Sequence, residues 1–125
     1  MDQPLIIPLT EDKPEVNLDP QKNTFEISGK SLPEDARIFY DPIIEWFENY
    51  AKDPNEETIF NIKLSYFNSS SARKIVELLS ILEKIKEDGN EVRISWHYKS
   101  YDDIMMERGE EIKMVLDIPF DLEPY

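Results

Sequence analysis

The chain has 125 residues, 40% hydrophobic and 11% aromatic, with 27 acidic against 14 basic side chains for a net charge of −13. That length suits one domain over residues 1–125, able to bury roughly two thirds of its unfolded surface without a disulfide or metal staple. The acidic balance repels phosphate backbones and anionic lipid surfaces, so neither nucleic acid nor membrane is expected as a partner. The lack of cysteine excludes disulfides, thiolate metal sites and cysteine nucleophiles.

The opening "MDQPLIIPLTEDK" has no basic region and only a short apolar run, and no run of about 18 apolar residues follows. No signal peptide or span is expected, and a soluble cytoplasmic protein is the default reading. Residues 1–13 suit a short edge strand or a segment lying over the domain. "EVNLD" and "TFEIS" each alternate apolar with polar residues around the turn residues 19–23, which predicts a β-hairpin. Residues 29–33 read as a loop.

In "EDARIFYDPIIEWFENYAKD", Ile43, Trp46, Phe47 and Tyr50 fall on one helical face. Pro42 disfavours a helix interior, so the expectation is a short turn, then a helix capped by Asp41 with Pro42 at its first position. Residues 58–67 read as a central strand, with Ile62, Leu64 and Tyr66 on one face and Ile59, Asn61 and Phe67 on the other. Ile75, Leu78, Leu79, Leu82 and Ile85 then form a helical stripe ended by Gly89. "EVRISWHY" is the next strand. A strand, a crossover helix and a strand imply parallel pairing. A last helix covers "YDDIMMERGEEIKMVLD", weakened by Gly109, and the tail packs through Phe120. The architecture expected is α/β, a small mixed sheet with flanking helices and a leading hairpin.

The stretch "YFNSSSARK" stands out. A helix start leaves amide donors unpaired, and serine is a favoured cap. One serine of Ser69, Ser70 and Ser71 suffices for that. Arg73 and Lys74 in the first turn oppose the helix dipole. Three hydroxyls and two cations at a helix start fit a turn that receives an anion, such as a phosphate carried by one of the serines. The competing reading is a capped turn whose cations balance an acidic surface. Asn68-Ser69-Ser70 also matches the glycosylation sequon by chance. A Ser–His catalytic pair has little to recommend it, because the G-x-S-x-G elbow is absent and His97 points away from Trp96 and Tyr98. The acidic residues Asp102, Asp103, Glu107, Glu110 and Glu111 read either as a solvated face or as ligands for a hard cation. The pair Met105 and Met106 reads as core filler.

Four pieces together carry a resemblance: "PEVNLDP", "FEISGKSLPEDARIFYDPIIEWFENY", "LSYFNSSSARKIVELLSIL" and "ISWHYKSYDDIMMERGEEI". Over residues 10–120 the chain resembles the SiaC family of small bacterial regulatory phosphoproteins. The resemblance implies a STAS-like sheet flanked by helices and no catalysis; no cofactor or metal is expected. It implies switching by a partner kinase and a PP2C-type phosphatase, with the unphosphorylated form binding and activating a diguanylate cyclase. The family's phosphorylated residue lies in an Asn-Thr-Ser-Ser motif after the central strand. On this chain Asn68 matches the asparagine, Ser69 the phosphorylated threonine, and Ser70 and Ser71 the serines. Serine in place of threonine makes Ser70 a competing acceptor. Arg73 and Lys74 are the expected phosphate contacts. The rival readings are a metal-dependent hydrolase built on the cluster around Glu107, and a constitutive protein-binding scaffold.

Overall fold

A computed structural model describes residues 3–125. Six strands form one sheet whose spatial order repeats the chain order: β1 (Leu5–Ile7), β2 (Glu15–Asp19), β3 (Thr24–Ser31), β4 (Glu57–Phe67), β5 (Glu91–Tyr98) and β6 (Phe120–Pro124). The first two pairings are antiparallel and the last three parallel. The expected hairpin is β2–β3, and the N-terminal segment does supply an edge strand. Three helices connect the parallel strands: α1 (Ala36–Tyr50), α2 (Ser69–Glu87) and α3 (Asp103–Met114).

All three helices lie on one face. Register runs Val16–Ile27–Ile62–Trp96–Leu122 across the sheet, so these side chains share a side. Phe47 of α1 packs on Phe25 and Phe60 of that same face. Gly109 of α3 sits against Trp96, and α2 packs beside α1 and against β5. Three crossovers that share one hand and step the same way across a sheet produce this layering. The opposite face is polar. Glu26 pairs with Lys63 at 2.8 Å and Arg93 with Asp121 at 2.6 Å.

Four expectations need correction. Residues 29–31 are not loop: β3 runs on to Ser31, which pairs with Phe67. Pro42 does not start α1 but sits inside it, and the cap is Asp35, whose carboxylate accepts from the Arg37 amide at 3.0 Å. The helix tolerates the proline because its first turns bury Ala36, Phe39 and Tyr40, each large apolar side chain contributing about 1.5–3 kcal/mol. The proline costs about 3 kcal/mol. The tail does more than pack through Phe120, for residues 120–124 form the sixth strand.

The fourth correction concerns β4. Gly29 pairs with Leu64 but Lys30 pairs with Tyr66, leaving Ser65 as an extra residue. This β-bulge inverts the alternation. Tyr66 turns out to solvent at 50% exposure, while Phe67 turns in and meets Trp96 edge-on at 5.8 Å. The bulge lies immediately before Asn68 and sets how the chain enters α2.

Candidate functional site

The turn from β4 into α2 gives its three serines three different environments. Asn68, not a serine, is the cap. Its backbone is extended, and its side-chain oxygen accepts from the Ser71 amide at 2.9 Å. Asparagine caps as well as serine does, so the stretch needed no serine for this purpose.

Ser71 is fully buried. Its hydroxyl donates to the Ser31 carbonyl at 3.3 Å and accepts from the Ser31 hydroxyl at 3.0 Å. Tyr40 of α1 completes the chain by donating to the Ser31 hydroxyl. Burial pushes the Tyr40 phenol up to about 12, against the opposing effect of its hydroxyl partners. Three elements, α1, β3 and α2, are thus joined through hydroxyls beneath the turn. Ser71 has no access to a modifying enzyme while the domain is folded.

Ser70 is exposed, and its hydroxyl donates to the Asn68 side chain at 3.1 Å. Ser69 is the first residue of α2 and is also exposed. Its hydroxyl has no hydrogen-bond partner among the described residues.

The two cations also differ. Lys74 is occupied: its ammonium lies 2.7 Å from Asp41 and 3.3 Å from Glu77. The hydrogen bond it donates to Asp41 raises its pKa, with Glu77 adding to the effect and burial opposing it. Two carboxylates thus engage Lys74, and a phosphate on Ser69 or Ser70, which share a cavity with it, would have to draw the ammonium away from them. Arg73 is exposed and makes no ion pair among the described residues. It is one helical turn beyond Ser69, so both residues face the same side of α2. Ser69, Ser70, Arg73 and Arg37 line one open cavity of about 710 Å³ between the starts of α1 and α2. Ser69 also lines a second cavity of about 290 Å³, on the α3 side, with Tyr66, Ile104, Arg108 and Glu111.

The other candidates lie apart from this turn. Asp102 caps α3 by accepting from the Met105 amide at 3.1 Å. Glu111 pairs with Arg108, and Asp103, Glu107 and Glu110 are exposed. Among the described residues no group of three or more His, Asp or Glu side chains is arranged to hold a metal ion. His97 lies on the polar face of the sheet, 3.0 Å from Asn61 and 3.5 Å from Glu123. Met105 is core, whereas Met106 is half-buried.

Three comparisons bear on this geometry. The model of the family described as SiaC family regulatory phosphoprotein matches residues 7–125. The chain belongs to the SiaC family. An uncharacterized protein of Pseudomonas aeruginosa strain UCBPP-PA14 is 27% identical over 121 residues, covering 97% of this chain and 96% of that protein. The solved structure of SiaC of Pseudomonas aeruginosa superposes with a TM-score of 0.90 at 27% identity, covering 98% of this chain and 99% of that one. The complex of the diguanylate cyclase SiaD with its activator SiaC, from the same species, gives 0.91 at 27% identity, covering 97% and 99%. The mixed α/β fold with its leading hairpin is thus the fold of the SiaC structures. No helix among the described residues is long and apolar enough to cross a membrane.

Sequence reasoning missed Ser31 and Tyr40, which meet Ser71 only through tertiary contact. The burial of Ser71 did have a signal. Residues 71, 75, 78, 79, 82 and 85 form one continuous stripe, and Ser71 is its first member.

Proposed function

We propose that this protein is a non-catalytic regulator whose switch is a phosphate on Ser69 and whose unphosphorylated form binds and activates a diguanylate cyclase. The observation that carries the acceptor assignment is the state of the three hydroxyls. Ser71 is buried, Ser70 is engaged by Asn68, and Ser69 alone is both exposed and without a partner among the described residues. The family's description as regulatory phosphoproteins and the solved SiaD–SiaC complex support the switch and the partner class.

A kinase transfers the γ-phosphoryl group of ATP to the Ser69 oxygen, with release of ADP and the hydroxyl proton. A PP2C-type phosphatase hydrolyses the ester and restores the hydroxyl. ATP as donor goes with a cytoplasmic location. The phosphate adds about −1.5 to −2 charges at the positive end of the α2 dipole, with Arg73 one turn away. A docked partner then meets a charge that is costly to desolvate, and binding is lost.

The assignment is tested by intact-mass measurement after incubation with ATP and the kinase from the same cells. One phosphate is expected on the wild type and none on Ser69→Ala. Since Ser69 is exposed and has no partner among the described residues, that substitution leaves stability within about 0.5 kcal/mol. A full phosphate shift in Ser69→Ala sinks the assignment. Partner binding is read by titration with the diguanylate cyclase of the same genome, and equal affinity for both phosphorylation states sinks the switch.

A further inference from the structure

Ser69 stands on a ridge with an arginine on either side. Arg73 follows it on α2, while Arg108 comes from α3 across the smaller cavity. One guanidinium nitrogen of Arg108 serves both oxygens of Glu111, at 3.2 and 3.3 Å. The two side chains are 49% and 63% exposed, so solvent screens the pair and it is readily exchanged. Glu111 lines the same cavity as Ser69.

We propose that a phosphate on Ser69 takes Arg108 from Glu111 and so ties α3 to the first turn of α2. The proposal rests on Ser69 being the phosphoacceptor. A phosphate offers nearly twice the charge of a carboxylate, and its oxygens accept two parallel N–H bonds from a guanidinium. The exchange breaks no buried contact, because Arg108 and Glu111 both lie on the exposed side of α3. Its effect is local and twofold. The cavity between Tyr66 and Ile104, which are 50% and 63% exposed, fills with an ion pair. The released Glu111 adds an uncompensated negative charge at the same edge. Apolar surface open to a partner in the unphosphorylated protein is thereby replaced by a charged bridge.

The test uses full-length protein with phosphoserine installed at position 69 during translation, followed by ³¹P NMR through the second phosphate ionisation. A free phosphoserine titrates near about pH 6, and a cation within reach favours the dianion. The expected midpoint is about half a unit or more below that value. Arg108→Gln moves it back up. Glu111→Gln, which removes the competing carboxylate, moves it further down. An unchanged midpoint in Arg108→Gln overturns the proposal, as does a shift that Arg73→Gln alone abolishes. Because the phosphate is installed directly, this result is independent of the kinase experiment, whose failure bears on the acceptor assignment instead.

Discussion

Ser31 donates a hydrogen bond to Ser71 at 3.0 Å although the two serines are 40 residues apart in sequence. The bond joins the last residue of β3 to the first turn of α2, and Ser71 returns a bond to the Ser31 carbonyl. Replacing Ser71 by alanine leaves one buried hydroxyl proton of the Tyr40–Ser31 pair without an acceptor. The expected loss is about 1–3 kcal/mol, read by denaturant unfolding. Phosphate uptake should persist in the folded variant, since the acceptor assigned above is Ser69. A stability equal to wild type would show that the hydroxyl chain contributes nothing.

Asn68 satisfies the Ser71 amide and holds the Ser70 hydroxyl. Asn68→Ala should cost about 1 kcal/mol, whereas Asn68→Asp keeps the acceptor and adds a charge that the helix start favours. Amide hydrogen exchange at Ser71 distinguishes the two: faster in the alanine variant, near wild type in the aspartate variant. Comparable exchange in both would mean that the cap does not hold the turn.

Gly109 is in the middle of α3, where alanine normally gains up to about 1 kcal/mol in helix propensity. Here a β-carbon would lie 2.7 Å from two atoms of the Trp96 ring and 2.6 Å from Leu122. Trp96 is fully buried, stacks near Phe120 and donates to the Met105 carbonyl at 3.0 Å, so it has nowhere to go. Gly109→Ala is therefore expected to destabilise by about 1–3 kcal/mol in thermal or denaturant unfolding. A stabilised variant would refute the close approach of α3 to β5.

Tyr40 supplies a pH dependence. Its phenol is raised to about 12 in the folded protein, and an unfolded tyrosine ionises near about 10. Below the unfolded value the stabilising contribution is fully present. Between the two values the unfolded chain loses a proton that the native state keeps. Stability then falls as pH rises, by up to about 1.4 kcal/mol per pH unit from this group. Other groups titrate in the same range, so the measurement is the difference between wild type and Tyr40→Phe. The wild type should lose more stability from pH 10 to 12; parallel curves would exclude the buried phenol as the cause.

The elements were legible where a period of two or 3.6 ran undisturbed. The alternating residues of β2 and β3 gave a hairpin, and the stripe from Ile75 to Ile85 gave α2 with its terminal glycine. At Gly89 φ is +108°, and the amides of Gly89 and Asn90 bond back to the carbonyls of Lys86 and Ile85, closing the helix as the sequence implied. Local patterns failed where a distant contact outweighed them. Pro42 reads as a helix start, yet the buried side chains ahead of it carry α1 through the proline. Tyr66 reads as core, yet the bulge at Ser65 turns it outward, because pairing with β3 decides the register of β4.

The same division holds at the candidate site. By itself the sequence determined the α/β class, the family and the place of interest, a polar turn between a central strand and a helix. Those depend on short-range periodicity, capping chemistry and the combination of motifs, all of which a chain displays without folding. Only the tertiary structure distinguished the three serines and the two cations. Ser71 is buried because Ser31 and Tyr40 converge on it from elsewhere in the chain. Lys74 is ion-paired because α1 brings Asp41 beside it. Ser69 has no hydrogen-bond partner among the described residues, and Arg108 of α3 lines a cavity with it, because hydrogen-bond partners and charge neighbours are set by distance in space rather than by separation along the chain.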